Sequence, residues 1–175
     1  MLESERLLIR LMELNDLEPA RYLHNEESTL NRLSDPFHVS QEEQIEWFKN
    51  LSKSRKSRRY SILLKESKEL VGIVRMDNID LVNRSCEIGA DILAASRRQG
   101  IATEAYTRIL DYIFGEMALH RIQLFTLVSN SEAVKLYGKL GFQKEGIVRE
   151  SIFRGGNFND MFLMGMLSHE WRLTK

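Results

Sequence analysis

The chain has a single cysteine among its 175 residues. No disulfide can form within it, and Cys86 fits a reducing compartment. Its four histidines are scattered without the paired spacing that holds zinc, so no metal is expected. Charge of one sign is lacking too. With 25 basic and 25 acidic residues, no overall field draws the protein to nucleic acid or membrane, and a specific small-molecule site becomes the default. No apolar run approaches the roughly 20 residues needed to span a bilayer. The opening Met-Leu-Glu-Ser-Glu-Arg is charged where a signal peptide would be apolar, and a cytoplasmic setting is expected. No repeat, low-complexity tract or linker divides the sequence. Its length, with 43% hydrophobic and 29% charged residues, reads as one soluble domain over 1–175.

Short apolar and alternating runs predict strands at Arg6–Met12, Tyr60–Leu64, Glu69–Met76, Ser85–Ala94, Arg121–Val128, Phe142–Val148 and Asn157–Leu167. The last two flank a turn at Gly155-Gly156. A helix is predicted from Asn15, where Asn15 or Asp16 can cap an apolar stripe. A second, short helix falls within Asn25–Val39, ahead of a loop at Asp35-Pro36. The capping box Ser40-Gln-Glu-Glu43 opens a third helix. Two more are predicted over Ile101–Met117 and from Asn130 to the turn at Gly141. Asp77–Asn83 reads as a polar connection. Lys53–Arg59, with five basic residues in seven, reads as a solvated loop rather than a nucleic-acid patch. The order implies an α/β (α+β) fold in which a mixed sheet is covered by helices. Within it, Ser85–Ala94, the following helix and Arg121–Val128 form a parallel crossover, with a ligand site at the carboxyl ends of those strands.

The stretch Ala94–Tyr106 is the first candidate site. An apolar strand gives way there to a helix through a bend at Gly100, the arrangement in which main-chain amides and a helix N-terminus can hold a phosphate. Arg97 and Arg98 bring two positive charges. Neither a Walker loop nor a dinucleotide fingerprint fits, leaving Arg97-x-x-Gly100-x-Ala102, which a glycine-relieved turn would also explain. The second candidate is Asn130-Ser-Glu-Ala133-Val-Lys-Leu-Tyr137, whose spacings of three and four place Asn130, Ala133 and Tyr137 on one helical face. Each has a structural alternative, as cap, close-packing residue and buried aromatic.

Together these motifs closely resemble the GNAT superfamily of acetyl-CoA-dependent N-acetyltransferases, over nearly the whole chain and best between Ser85 and Leu167. The group most alike contains spermidine, ribosomal-protein N-terminal and UDP-amino-sugar acetyltransferases. The segments Val39–Phe48 and Arg149–Gly156 are nearest the amino-sugar branch. The resemblance implies a mostly antiparallel central sheet of six to seven strands with helices on both faces. It further implies acetyl-CoA as co-substrate, its pyrophosphate held by the amides of Arg97, Arg98, Gln99, Gly100, Ile101, Ala102 and Thr103. The pantetheine arm would pair with the main chain at Asp91 and Ile92, with Asn130 and Ala133 at the thioester. Arg97 stands where many relatives carry Gln. The acceptor would be a small-molecule or peptide amine, with neither nucleic acid nor membrane as partner, and the family admits a homodimer.

Transfer to an amine of pKa about 10.4 requires its deprotonation, which costs roughly 4 to 5 kcal/mol at pH 7 and favours a general base. Glu87 is the candidate, a carboxylate embedded among Cys86, Ile88 and Ala90. Its structural alternative is pairing with Arg84 or Arg121. Tyr137 matches the family's general acid, returning a proton to the departing thiolate. Cys86 has no neighbouring His in sequence, so direct transfer is expected over an acyl-enzyme. Residues 13–46 carry nine acids and two bases, an asymmetry that would favour a cationic acceptor or else mark solvated helices. Against a polyamine, Ser34-Asp35-Pro36 has one acid where spermidine-type relatives carry two. Trp47 and Phe48 fit either stacking on a sugar or uracil or a place in the core. The rival class is a catalytically silent acetyl-CoA sensor.

Overall fold

The computed structural model describes residues 1–33, 35 and 37–173. Among the described residues eight strands form one sheet: β1 (Leu2–Glu3), β2 (Leu7–Leu11), β3 (Arg58–Leu64), β4 (Leu70–Asp80), β5 (Ser85–Ile92), β6 (Arg121–Leu127), β7 (Gln143–Arg154) and β8 (Asn157–Leu167). Their order is β1-β2-β3-β4-β5-β6-β8-β7. Only β5 and β6 run parallel; every other neighbouring pair is antiparallel. The sheet has one strand more than the six to seven expected. The addition is β1, which pairs Leu2 with Ile9 and Glu3 with Leu8 and is too short to show any periodicity.

The helices are α1 (Leu17–Asn25), α2 (Glu27–Leu30), α3 (Gln41–Lys53), α4 (Ile101–Asp111), α5 (Ser131–Leu140) and α6 (Ser168–Leu173). Alternation along the strands sorts side chains between two faces. Leu7, Ile9, Ile62, Val74 and Met76 pack with Tyr106 and Ile109 of α4 and with Ile113 just beyond it in the main core. On the opposite face Met12, Leu17 and Ala20 meet Ile45, Trp47, Phe48 and Ile73 beneath α1 and α3. Helices thus cover both sides of the sheet.

The Ser40 capping box forms as expected: the Glu43 amide donates to Ser40 Oγ at 3.2 Å and the Ser40 amide to Glu43 Oε2 at 2.8 Å. The α1 cap does not. Asp16 makes no side-chain cap bond, because its carboxylate is drawn across to Arg10 of β2, 2.6 Å away. β4 continues through the expected polar connection to Asp80, with a bulge at Asn78 (φ 51°) accommodating the polar residues. β5 stops at Ile92, two residues early, where a 3-10 turn over Ala94–Ser96 begins. The helix predicted to Met117 keeps α-geometry only to Asp111 and finishes in a π-turn, Tyr112–Glu116. In the basic run, Arg58 and Arg59 belong to β3, and Arg59 pairs with Asp77 at 2.8 Å. The loop predicted at Asp35-Pro36 has its proline, with Ser34, outside the described residues. No described helix is long and apolar enough to cross a membrane.

Candidate active site

β5 and β6 pair over only Ser85–Arg121, Cys86–Ile122 and Glu87–Gln123. Past that point β5 stays with β4 as far as Ile92, whereas β6 stays with β8 as far as Leu127. The two strands therefore part, and the inner edge of β5 from Ile88 onward has no strand partner. A segment of extended amide groups can dock on such an edge.

At the mouth of this opening the chain leaves β5, passes through the left-handed region at Arg98 (φ 61°) and Gly100 (φ 80°), and enters α4. Gly100 tolerates that conformation because it has no Cβ. From Arg98 to Thr103 no amide finds an acceptor among the described residues, the first helical bond being Glu104 N–H to Gly100 O at 3.0 Å. Such a run of unpaired donors at a helix start is an anion cradle. Behind it lies a cavity of about 360 Å³, lined by Ala90, Asp91, Ile92, Ala102, Asn130 and Tyr137 among others.

The side chains of the cradle are engaged elsewhere. Arg97 donates to Ile92 O (2.8 Å), Ser28 Oγ (2.9 Å) and Thr29 Oγ1 (3.0 Å) and lies 3.5 Å from Glu26. Its amide is bonded to Ala94 O at 3.3 Å. Its charge thus ties the α1–α2 corner to the end of β5 while the side chain also lines the 360 Å³ cavity. Arg98 pairs with Glu132 in the first turn of α5 at 2.9 Å. Gln99 bonds Ala95 O, Ile101 is buried in the main core, and Thr103 is exposed. Arg6, not singled out in the sequence, braces the loop by donating to Gln99 O (3.0 Å) and pairing with Glu104 (2.8 Å). Asn130 caps α5, its Oδ1 accepting from the Ala133 amide at 3.2 Å.

Tyr137 stands between this cavity and a second one of about 290 Å³, and it lines both. Its ring is held edge-on by Tyr106 and Phe142, and its hydroxyl shares a 3.2 Å hydrogen bond with the buried Tyr106 hydroxyl. Burial raises the Tyr137 pKa above that of an ordinary phenol; the Tyr106 hydrogen bond and the Arg75 charge oppose the shift without cancelling it. Glu87 lines the second cavity with Tyr137 and accepts from Asn78 Nδ2 at 3.3 Å. Neither arginine proposed as its structural partner takes it: Arg121 pairs with Glu145 and Arg84 with Ala118 O. Cys86 is buried in the main core, and burial pushes its thiol up to about 12.

Arg75 was missed, although a lone charge in the apolar run Leu70–Met76 is the same signal that marked Glu87. Its guanidinium lies over Gly89 of β5, where a Cβ would stand 2.8 Å from Nη2. It lines both cavities and a third, of about 480 Å³, between the sheet and α1 and α3. Trp47 is both partly buried in the smaller core and part of that third wall. Among the described residues no three His, Cys, Asp or Glu side chains are placed to hold a metal ion.

A parted parallel strand pair, a run of unpaired amides at a helix start and a tyrosine shared by two cavities make a cleft able to take an extended ligand with an anionic end. The acetyltransferase (GNAT) domain model matches residues 6–143. The chain is 34% identical over 173 residues, 97% of each protein, to an uncharacterized N-acetyltransferase, p20, of Bacillus licheniformis. It is 30% identical over 170 residues, 96% of each, to the spermidine N(1)-acetyltransferase of Vibrio cholerae. A crystal structure of spermidine N-acetyltransferase from Vibrio cholerae in complex with CoA and spermine superposes with a TM-score of 0.91 at 29% identity, covering 97% of this chain and 99% of that one. The chain belongs to the GNAT acetyltransferase family, and it is an acetyl-CoA-dependent N-acetyltransferase.

Proposed function

We propose that the chain transfers an acetyl group directly from acetyl-CoA to a primary amine, in a ternary complex within the cytoplasm. The observation that carries this reading is the position of Tyr137 on the walls of both the 360 Å³ and the 290 Å³ cavities. The amides of Arg98–Thr103 would hold the cofactor's diphosphate, and the unpartnered edge of β5 at Asp91 and Ile92 its pantetheine arm. The cofactor supplies an acyl group already activated as a thioester. Glu87 takes the proton of the incoming amine, directly or through water, and Tyr137 donates a proton to the departing sulfur. A covalent route through Cys86 is disfavoured, because a thiol with a pKa of about 12 carries almost no thiolate at neutral pH.

Thiol release from acetyl-CoA against amino sugars, polyamines and peptides with free N-termini tests the reading. Turnover with at least one acceptor is expected. Acetyl-CoA binding without turnover for any amine would mark a silent sensor. Glu87→Gln is expected to lower kcat about 100-fold and to abolish the acidic limb of the pH–rate profile. An unchanged limb would pass the role of base to another group.

The same reading extends to a homodimer. β7 is the outer edge of the sheet and presents Ile147 and Phe153 to solvent, each 55% exposed, with Phe158 of β8 packed against Phe153. Exposed apolar side chains on an unpaired edge strand favour a covering partner. Sedimentation velocity is expected to give a dimer that Ile147→Lys weakens, and a monomer at tens of micromolar would refute it.

A further inference from the structure

Among the described residues, Arg75 alone lines all three cavities. Its Nε is buried without a hydrogen-bond partner, although Asp91 Oδ2 lies 3.3 Å away. The pair therefore offsets charge while leaving the buried Nε–H without an aligned acceptor, an arrangement that costs stability unless something else accepts from it. Gly89 leaves the space that this head group fills.

Most acids nearby already have partners; among the described residues, Asp35 in the wall of the 480 Å³ cavity holds only the Phe37 amide at 3.0 Å. Asp77 takes Arg59 at 2.8 Å and Glu87 takes Asn78. On the helical side, Asp16 is bound to Arg10, Glu18 to Arg21, and Glu26 lies against Arg97. Glu43 is committed to the α3 capping box. The excess of acid in residues 13–46 is thus largely consumed within the fold, and a polycation entering the cleft would meet an under-bonded guanidinium at its centre.

We infer that the amine acceptor also bears an anionic group, a carboxylate or a phosphate, within a few bonds of the reacting nitrogen, and that Arg75 receives it. This deepens the proposed transfer reaction and rests on it. A guanidinium is the side chain whose planar fork matches both oxyanions with two parallel hydrogen bonds. Tyr137 and Glu87 share the 290 Å³ cavity with Arg75, so one small molecule can present its amine to the first two and its anion to the third. The 480 Å³ cavity, with Trp47, Leu23 and Ile73 in its wall, takes the rest of the acceptor.

The test is thiol release by the full chain with matched acceptors: an amino acid against its carboxamide, an amino-sugar phosphate against the unphosphorylated amino sugar, and spermidine. The anionic member of at least one pair is expected to exceed its neutral counterpart and spermidine about 10- to 100-fold in kcat/KM. The pair that shows the difference identifies the anion. Arg75→Gln is expected to collapse that ratio, mainly through KM, and Arg75→Lys to retain part of it by keeping the charge without the fork. Far-ultraviolet circular dichroism and a thermal melt report whether both variants are folded. A preference for spermidine or for the neutral members, or an unchanged ratio in Arg75→Gln, would overturn the inference while leaving the transfer reading intact. Absence of turnover with every acceptor would bring down both.

Discussion

Tyr137→Phe is expected to lower turnover about 10²- to 10⁴-fold while acetyl-CoA affinity stays within about threefold, because the substitution removes a proton donor and keeps the ring. The phenol is well placed for the task. Burial holds its pKa above the ordinary value, so it remains protonated through neutral and mildly alkaline pH, and no alkaline limb from Tyr137 should fall below about pH 10. The loss of the hydroxyl also has a structural consequence that must be separated from the chemical one. Tyr106 is buried and bonds Tyr137 at 3.2 Å; deprived of that partner, its own hydroxyl destabilises the fold by about 1–3 kcal/mol. Adding Tyr106→Phe removes the orphaned group. The double variant is therefore expected to regain stability in a thermal melt without regaining turnover. Recovery of both would make Tyr137 a packing residue, as would an equal loss of turnover and cofactor affinity.

The parts of this site that sequence could reveal are those whose requirements are local. A bend into a helix that must take φ 80° needs glycine, and Gly100 marks it. Residues three and four apart on α5 must share a face, so Asn130, Ala133 and Tyr137 reach the same cavity. The Ser40 box is complete within four residues. What escaped depends on pairings between distant residues. Arg97 finds Ser28 and Thr29 only once the α1–α2 corner folds against β5, so its charge could not be assigned from the motif containing it. The parting of β5 from β6 after Glu87 leaves no trace in either strand's pattern, because both continue their ladders on the other side. Arg75 lies between these extremes. An isolated charge in an apolar strand was legible, but its engagement with three cavities was not.

Asp16→Ala is expected to destabilise the protein by about 1–3 kcal/mol, because it strips the buried Ser61 hydroxyl and the Glu13 amide of their acceptor and leaves the half-buried Arg10 guanidinium with Glu13 alone, 3.5 Å away. For a chain of this size that is about 2–12 °C in Tm. Asp16 is 5% exposed and accepts from Arg10 Nη1 (2.6 Å), Arg10 Nη2 (2.9 Å), Ser61 Oγ (2.8 Å) and the Glu13 amide (2.8 Å). It thereby fastens the start of α1 to β2 and β3. Burial is the largest single influence on its carboxyl and disfavours ionisation, yet Arg10, Glu13 and Ser61 together outweigh it and hold the pKa below the ordinary carboxylate value. A depressed folded pKa contributes stability that is present above the unfolded value of about 3.9 and is lost as pH falls through the folded one. Wild type should therefore lose this contribution below about pH 4, and Asp16→Asn should show a flatter melting profile there. Because α1 carries Ala20, Leu23 and His24 into the wall of the 480 Å³ cavity, unseating it should raise the acceptor KM. Acetyl-CoA affinity should hold, since the amide cradle rides on α4. A variant that melts like wild type with an unchanged acceptor KM would show that α1 is held to the sheet by its apolar face alone.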